Sequence, residues 1–262
     1  MPAMDVNGTT LHYQFDGPEQ GPVVMLSNSL ASNLSMWDPQ MAALTGAGFR
    51  VLRYDSRGHG QSAAPQGPYT MEMLGADAVG LMDALELDKV HFCGLSKGGM
   101  VGQMLGTNHG GRLLSLALCD TSAYMGAGAA TWDERIATVR EKGMAAVADA
   151  TIDRWVTKPG QQRMPGEVEK VRQMVLNTPV EGYCACSEAI KVMDQRETIR
   201  AITTSTVVIV GEQDPGTTVE MAREIQERIS GSKLVILPEA AHFSNVEQAG
   251  GFNKALLDLL KS

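Results

Sequence analysis

The sequence predicts an α/β protein: a mostly parallel sheet with helices on both faces. Over most of the 262 residues, short runs of β-branched and aliphatic residues alternate with longer stretches of helical periodicity. The strand-like runs, such as "PVVMLS" (22–27) and "LLSLALCD" (113–120), are apolar almost throughout, as in strands buried on both faces. The alternation stops once, from about residue 122 to 204, where the chain reads only as amphipathic helix.

Taken in order, "TLHYQFDG" (10–17) alternates and ends in glycine, so it reads as an edge strand, with His12 on it. After the strand at 22–27 come a helix over 35–48 and the strand "FRVLRYD" (49–55). Thr70 is placed to cap a helix in which Met71, Leu74, Ala78, Leu81 and Leu85 recur at helical spacing. The strand "KVHFC" (89–93) runs through a glycine-rich turn into a helix that continues past Met100 and Met104, and the strand at 113–120 follows. The helical block contains "WDERIATVREKGMAAVADATIDRWV" and "GEVEKVRQMVLN". Strand and helix then resume with "STVVIVG" (205–211), a helix near 217–230, "KLVILP" (233–238) and a last helix. Residues 122–204 are therefore expected to be an insertion within one α/β domain formed by 1–121 and 205–262. An insertion at that point lies over the carboxyl ends of the strands, where such sheets bind ligands.

A formal net charge of −8 argues against nucleic acid or an anionic membrane as partner. Cys93 and Cys119 sit in apolar strand runs, and Cys184-x-Cys186 has neither a redox nor a zinc spacing, so all four read as reduced packing residues of a cytoplasmic protein. The first residues show no basic region followed by an apolar run, and no stretch is long enough to span a membrane. There is no paired-histidine spacing or Cys/His cluster, and no G-x-G-x-x-G follows a strand, so no metal or other cofactor is expected. The sixteen methionines fall mostly at helical core spacing and read as packing.

The strongest motif is Gly94-Leu95-Ser96-Lys97-Gly98, a G-x-S-x-G pattern between an apolar strand and a helix. In that context a strained turn lifts a serine hydroxyl above the sheet. A serine hydroxyl needs a base, oriented in turn by an acid, and in this arrangement the chain order is Ser, Asp or Glu, then His. Of the five histidines, His12 and His91 lie on strands and His59 and His109 in glycine-rich turns; only His242 comes late, between a strand and the last helix. Asp214, in a turn just past a buried strand, is the acid in the expected order; Asp120 competes, and Glu212 is its neighbour. The backbone amides of Lys97 and of Leu30, in the loop after the second strand, are the candidate donors to an oxyanion. Asp55 and Arg57 in "YDSRGHGQS" are expected to form a buried structural pair.

With the helical insertion, "GLSKGG", "YDSRGHGQS", "GEQDPGT" and "AAHFSN" resemble the α/β-hydrolases that carry a cap domain. More narrowly, "LSNSLASNLSMWDPQ", "RYDSRGHGQS" and "EGYCACSEAI" resemble the 3-oxoadipate enol-lactonases of aromatic catabolism, including Asn28-Ser29-Leu30 where His-Gly-X is more usual. The resemblance implies hydrolysis of a small anionic lactone in the β-ketoadipate pathway through an acyl-serine. The carboxylate of such a substrate needs cations, and the insertion offers Arg135, Arg154, Lys158 and Arg163, with Trp132 and Trp155 as apolar walls. Carboxylesterase, cofactor-free perhydrolase or haloperoxidase and carbon–carbon hydrolase activities share most of these motifs. A slow, triad-bearing ligand receptor is the alternative from another class, and a homo-oligomer is compatible with the sequence.

Overall fold

The computed structural model describes residues 2–261. The chain runs β1 (Ala3–Val6), β2 (Thr9–Asp16), β3 (Val23–Ser27), α1 (Asp38–Gly46), β4 (Arg50–Tyr54), α2 (Met71–Ala84), β5 (Val90–Leu95), α3 (Lys97–Asn108) and β6 (Leu113–Cys119). Five helices follow without a strand: α4 (Ala129–Lys142), α5 (Ala145–Trp155), α6 (Lys158–Arg163), α7 (Pro165–Leu176) and α8 (Val180–Val192). The chain ends with β7 (Thr206–Gly211), α9 (Val219–Arg228), β8 (Lys233–Leu237), α10 (Ser244–Glu247) and α11 (Ala249–Leu260). Among the described residues no helix is long and apolar enough to cross a membrane.

These strands form one eight-stranded sheet in the order β1-β2-β4-β3-β5-β6-β7-β8, antiparallel at β1–β2 and β2–β4 and parallel elsewhere. The edge strand is β1, not the segment at 10–17, which lies one strand inside as β2. β1 is four residues long with only Val6 buried, too short to leave a periodic signal. The helix expected over 35–48 divides into a 3-10 turn at Leu34–Trp37, capped by Asn33, and α1, with Pro39 in its first turn. Proline has no N–H to continue a hydrogen-bonded helix, so α1 restarts there.

From β3 the chain crosses to β4 in one direction, and from β5 to β6 in the other. Right-handed crossovers then place α1 on one face and α2, α3 and α9 on the opposite face; α11 packs on α1, and α2 packs on α3. The strand order thus reverses at the β3–β5 pair, and the loops after these two strands open a crevice between them.

The junction from β5 to α3 is too tight for side chains at two glycines. A Cβ on Gly94 would lie 2.1 Å from the Gly98 carbonyl oxygen, and one on Gly98 would lie 2.1 Å from that of Ser27. Neither backbone neighbour can give way without breaking the β3–β5 register, which pairs Ser27 with Gly94. Gly94→Ala is expected to cost at least about 3 kcal/mol, the upper end for overpacking. Gly46→Ala, exposed at the end of α1 with open space around it, is expected to add about 0.5 kcal/mol. Urea unfolding of both variants checks the contrast; equal midpoints would contradict the close-approach account.

Candidate active site

Ser96 sits at the apex of the β5–α3 turn with φ 56° and ψ −114°, a backbone state that costs a non-glycine residue about 1–3 kcal/mol. Surrounding bonds hold it there: its N–H donates to the Cys119 carbonyl at 2.9 Å, and the Thr121 hydroxyl donates to its carbonyl at 2.8 Å. Lys97 follows as the first residue of α3, so its amide has no acceptor within the helix.

The loop after β3 lies beside this turn. The Ser29 amide donates to Met36 Sδ at 3.4 Å and the Ala31 amide to His59 Nε2 at 3.0 Å. Between them, the Leu30 amide has no acceptor among the described residues.

His242 follows β8, and its Nδ1 lies 2.7 Å from Asp214 Oδ2, which follows β7. Because a carboxylate only accepts, Nδ1 carries the proton and Nε2 is left with a lone pair. Asp214 also accepts from the Gly216 and Thr217 amides, at 2.8 and 3.0 Å, and from the Thr217 hydroxyl at 2.6 Å. Burial pushes the Asp214 carboxyl up, but the His242 ring and the Thr217 bonds outweigh it and hold the group below the ordinary aspartate range.

Asp120, the competing acid, does not touch His242. It is buried behind the site, accepting from the Gly211 amide at 2.8 Å and the Ser244 hydroxyl at 2.5 Å. It therefore ties together the loops that carry Asp214 and His242. Glu212 is exposed.

Helices α4, α5 and α8 lie over these loops, and between them is a cavity of about 360 Å³. Leu30, Ser96, Asp214 and His242 line it from the sheet side, and Trp132, Arg135, Arg154, Trp155 and Tyr183 line it from the helical side. The Arg135 guanidinium lies 4.7 Å from the centre of the Trp132 ring. Arg154 donates to the Thr151 hydroxyl at 3.1 Å, and burial together with the neighbouring Arg135 lowers its pKa. Among the described residues neither arginine has a carboxylate partner, whereas Lys158 pairs with Asp153 on the surface. Arg163 donates to the Glu247 carbonyl at 3.5 Å. Neither Lys158 nor Arg163 reaches the cavity.

Two site features depart from the sequence reading, one absent from it and one that corrects it. Glu247 is buried, and its carboxylate accepts from the Thr157 amide and hydroxyl on the helical side and from the Ala241 amide beside His242. Next to it the Phe243 amide donates to the Trp155 carbonyl at 2.8 Å, and the two rings stack with centroids 4.2 Å apart. Nothing local in the sequence around Glu247 marks this contact, because its partner Thr157 lies 90 residues away. The second is the loop at 55–62. Asp55 and Arg57 are not paired there: Asp55 binds His12 Nδ1 at 2.9 Å and Arg57 binds Asp77 at 2.5 Å. Each is satisfied instead by a buried group from another element, His12 on β2 and Asp77 on α2.

The model of the alpha/beta hydrolase fold family matches residues 22–249. The chain is 39% identical over 251 residues to 3-oxoadipate enol-lactonase 2 of Acinetobacter baylyi, covering 96% of this chain and 93% of that one. The solved enol-lactonase of Burkholderia xenovorans superposes with a TM-score of 0.97 at 43% identity, covering 100% of both chains. A thermophilic esterase of Thermogutta terrifontis, solved with malate bound, superposes with a TM-score of 0.93 at 28% identity, covering 100% of this chain and 98% of that one.

Burial first, and then Asp214, push the Asp120 carboxyl well above the ordinary aspartate range, against the bonds from Ser244 and Gly211. The folded state therefore keeps this proton where the unfolded chain has lost it. The stability it contributes is present below about pH 4 and is lost as pH rises towards the folded value. Asp120→Asn removes the titration, so its stability relative to wild type should climb as pH rises above about 4 in urea titrations. A pH-independent difference would show that Asp120 does not titrate in the folded protein.

Proposed function

The chain belongs to the alpha/beta hydrolase fold family, and we propose that it hydrolyses 3-oxoadipate enol-lactone through an acyl-serine at Ser96. The observation that carries the substrate class is the pair of arginines, Arg135 and Arg154, without carboxylate partners in the cavity that Ser96 and His242 line. In a chain of net charge −8, an anionic substrate needs such a local cation pair. The two enol-lactonase relatives support the lactone, and the four buried cysteine thiols are in keeping with a reducing cytoplasm.

His242 Nε2 takes the Ser96 proton as Oγ attacks the lactone carbonyl, and the Leu30 and Lys97 amides receive the developing oxyanion. Asp214 fixes the ring tautomer and stabilises the imidazolium. Collapse of the tetrahedral species breaks the ring C–O bond and expels an enolate, which needs less protonation than an alkoxide would. The enolate stays tethered to the acyl group and takes up the proton that His242 holds, which gives the ketone and returns the imidazole to its neutral form. Water, deprotonated by His242, then attacks the acyl-serine and releases the dicarboxylate. Trp132 and Trp155 wall the small planar ring while the arginines hold its carboxylate.

Lactone consumption followed by ultraviolet absorbance, beside turnover of a p-nitrophenyl ester, tests this reading. Ser96→Ala should lose at least about 10⁴-fold in kcat. A lactone rate no better than background alongside good ester turnover would leave a general esterase. Arg135→Met and Arg154→Met should each lower kcat/KM for the lactone by about 10- to 100-fold while leaving an uncharged analogue, such as its methyl ester, little affected. Equal losses on both substrates would remove the carboxylate role of the arginines.

A further inference from the structure

We propose that His59 is a positioning residue for the oxyanion hole, holding the Leu30 amide in place through its neighbour Ala31; this rests on the acyl-serine reading above. Ala31 has a φ of 59°, a left-handed state that alanine seldom adopts. Something must hold that turn, and the Ala31 amide donates to His59 Nε2 at 3.0 Å. The His59 ring is fully buried, and its Nδ1 lies 3.1 Å from the Arg57 carbonyl oxygen. A carbonyl only accepts, so Nδ1 carries the proton and Nε2 offers a lone pair to Ala31. A neutral ring with this tautomer satisfies both bonds at once. Its surroundings favour neutrality: burial and the Lys97 ammonium hold the pKa well below the ordinary histidine range.

The same loop grips the other half of the hole. Ser56 Oγ accepts from the buried Lys97 Nζ at 2.7 Å, and Lys97 supplies the second amide. Asp55 Oδ1 accepts from the Leu34 amide at 2.7 Å, closing the far end of the Leu30 loop. Loop 55–62 thus reaches the segments of both amides without lining the cavity itself.

The test compares His59→Leu, which keeps bulk but neither bond, with His59→Gln, whose amide can accept from Ala31 and donate to Arg57. His59→Leu should lower kcat for the lactone by about 10- to 100-fold, somewhat less than losing an oxyanion donor outright. KM should stay within about threefold, and Gln should restore most of the rate. Affinity for a boronic acid that forms a tetrahedral adduct with Ser96 should fall in parallel with kcat, while affinity for adipate, a ground-state dicarboxylate, should hold. A folded Leu variant with wild-type kcat, or with equal losses for boronic acid and adipate, would overturn the proposal. If the Leu variant does not fold, imidazole ¹⁵N shifts of the wild type at neutral pH decide: a protonated Nε2 on His59 overturns it, and the Nδ1–H tautomer supports it. Failure of the wild type itself to form the boronate adduct would instead refute the acyl-serine reading, and the proposal with it.

Discussion

The turn between β5 and α3 is the constraint on which the rest of the site depends. Two backbone segments approach closely enough at Gly94 and Gly98 that no side chain fits between them, and Ser96 is left in a costly conformation. That geometry is stable only because the strands on either side are fixed: β3 pairs with β5 through Ser27 and Gly94, and β6 accepts the Ser96 amide through Cys119. The sheet therefore serves as the template for the turn. Its reversal of strand order at β3–β5 places the loop bearing Leu30 beside the serine without further adjustment.

Around the turn, buried charge is arranged in layers. Asp214 is stabilised as an anion by four donors, whereas Asp120 resists ionisation because it is buried and, second, because Asp214 is already charged. The two acids at the ends of adjacent strands thus divide their roles by environment, one facing the histidine and the other bracing the loops. Lys97 completes the set, since its backbone and its ammonium face different duties on opposite sides of one residue.

Much of this was legible in the sequence. Strand–helix alternation, the glycine-framed serine, and the order of Ser96, Asp214 and His242 are local or ordinal patterns, and the structure brings those three residues to one cavity. Partnerships across distance were not legible. Pairing Asp55 with Arg57 by proximity in sequence failed, because the true partners, His12 and Asp77, lie 43 and 20 residues away. Glu247 reaches Thr157 across 90 residues, and His59 reaches Ala31 across 28. Periodicity reports which face of an element is buried, but not which buried polar group answers another.

The attachment at Glu247 separates two kinds of residue in the helical cover. At that point the cover is tied to the sheet domain by the Thr157 amide and hydroxyl, the Trp155 carbonyl and the Arg163 guanidinium, so two of the four groups are main-chain and indifferent to side-chain identity. Arg135 and Arg154 project from α4 and α5 and carry none of that fastening. Selectivity in this scaffold can therefore drift over generations without loosening the roof from the chemistry beneath it. A lineage with this architecture would be expected to diversify at the two arginine positions while Glu247 and Thr157 stay as they are.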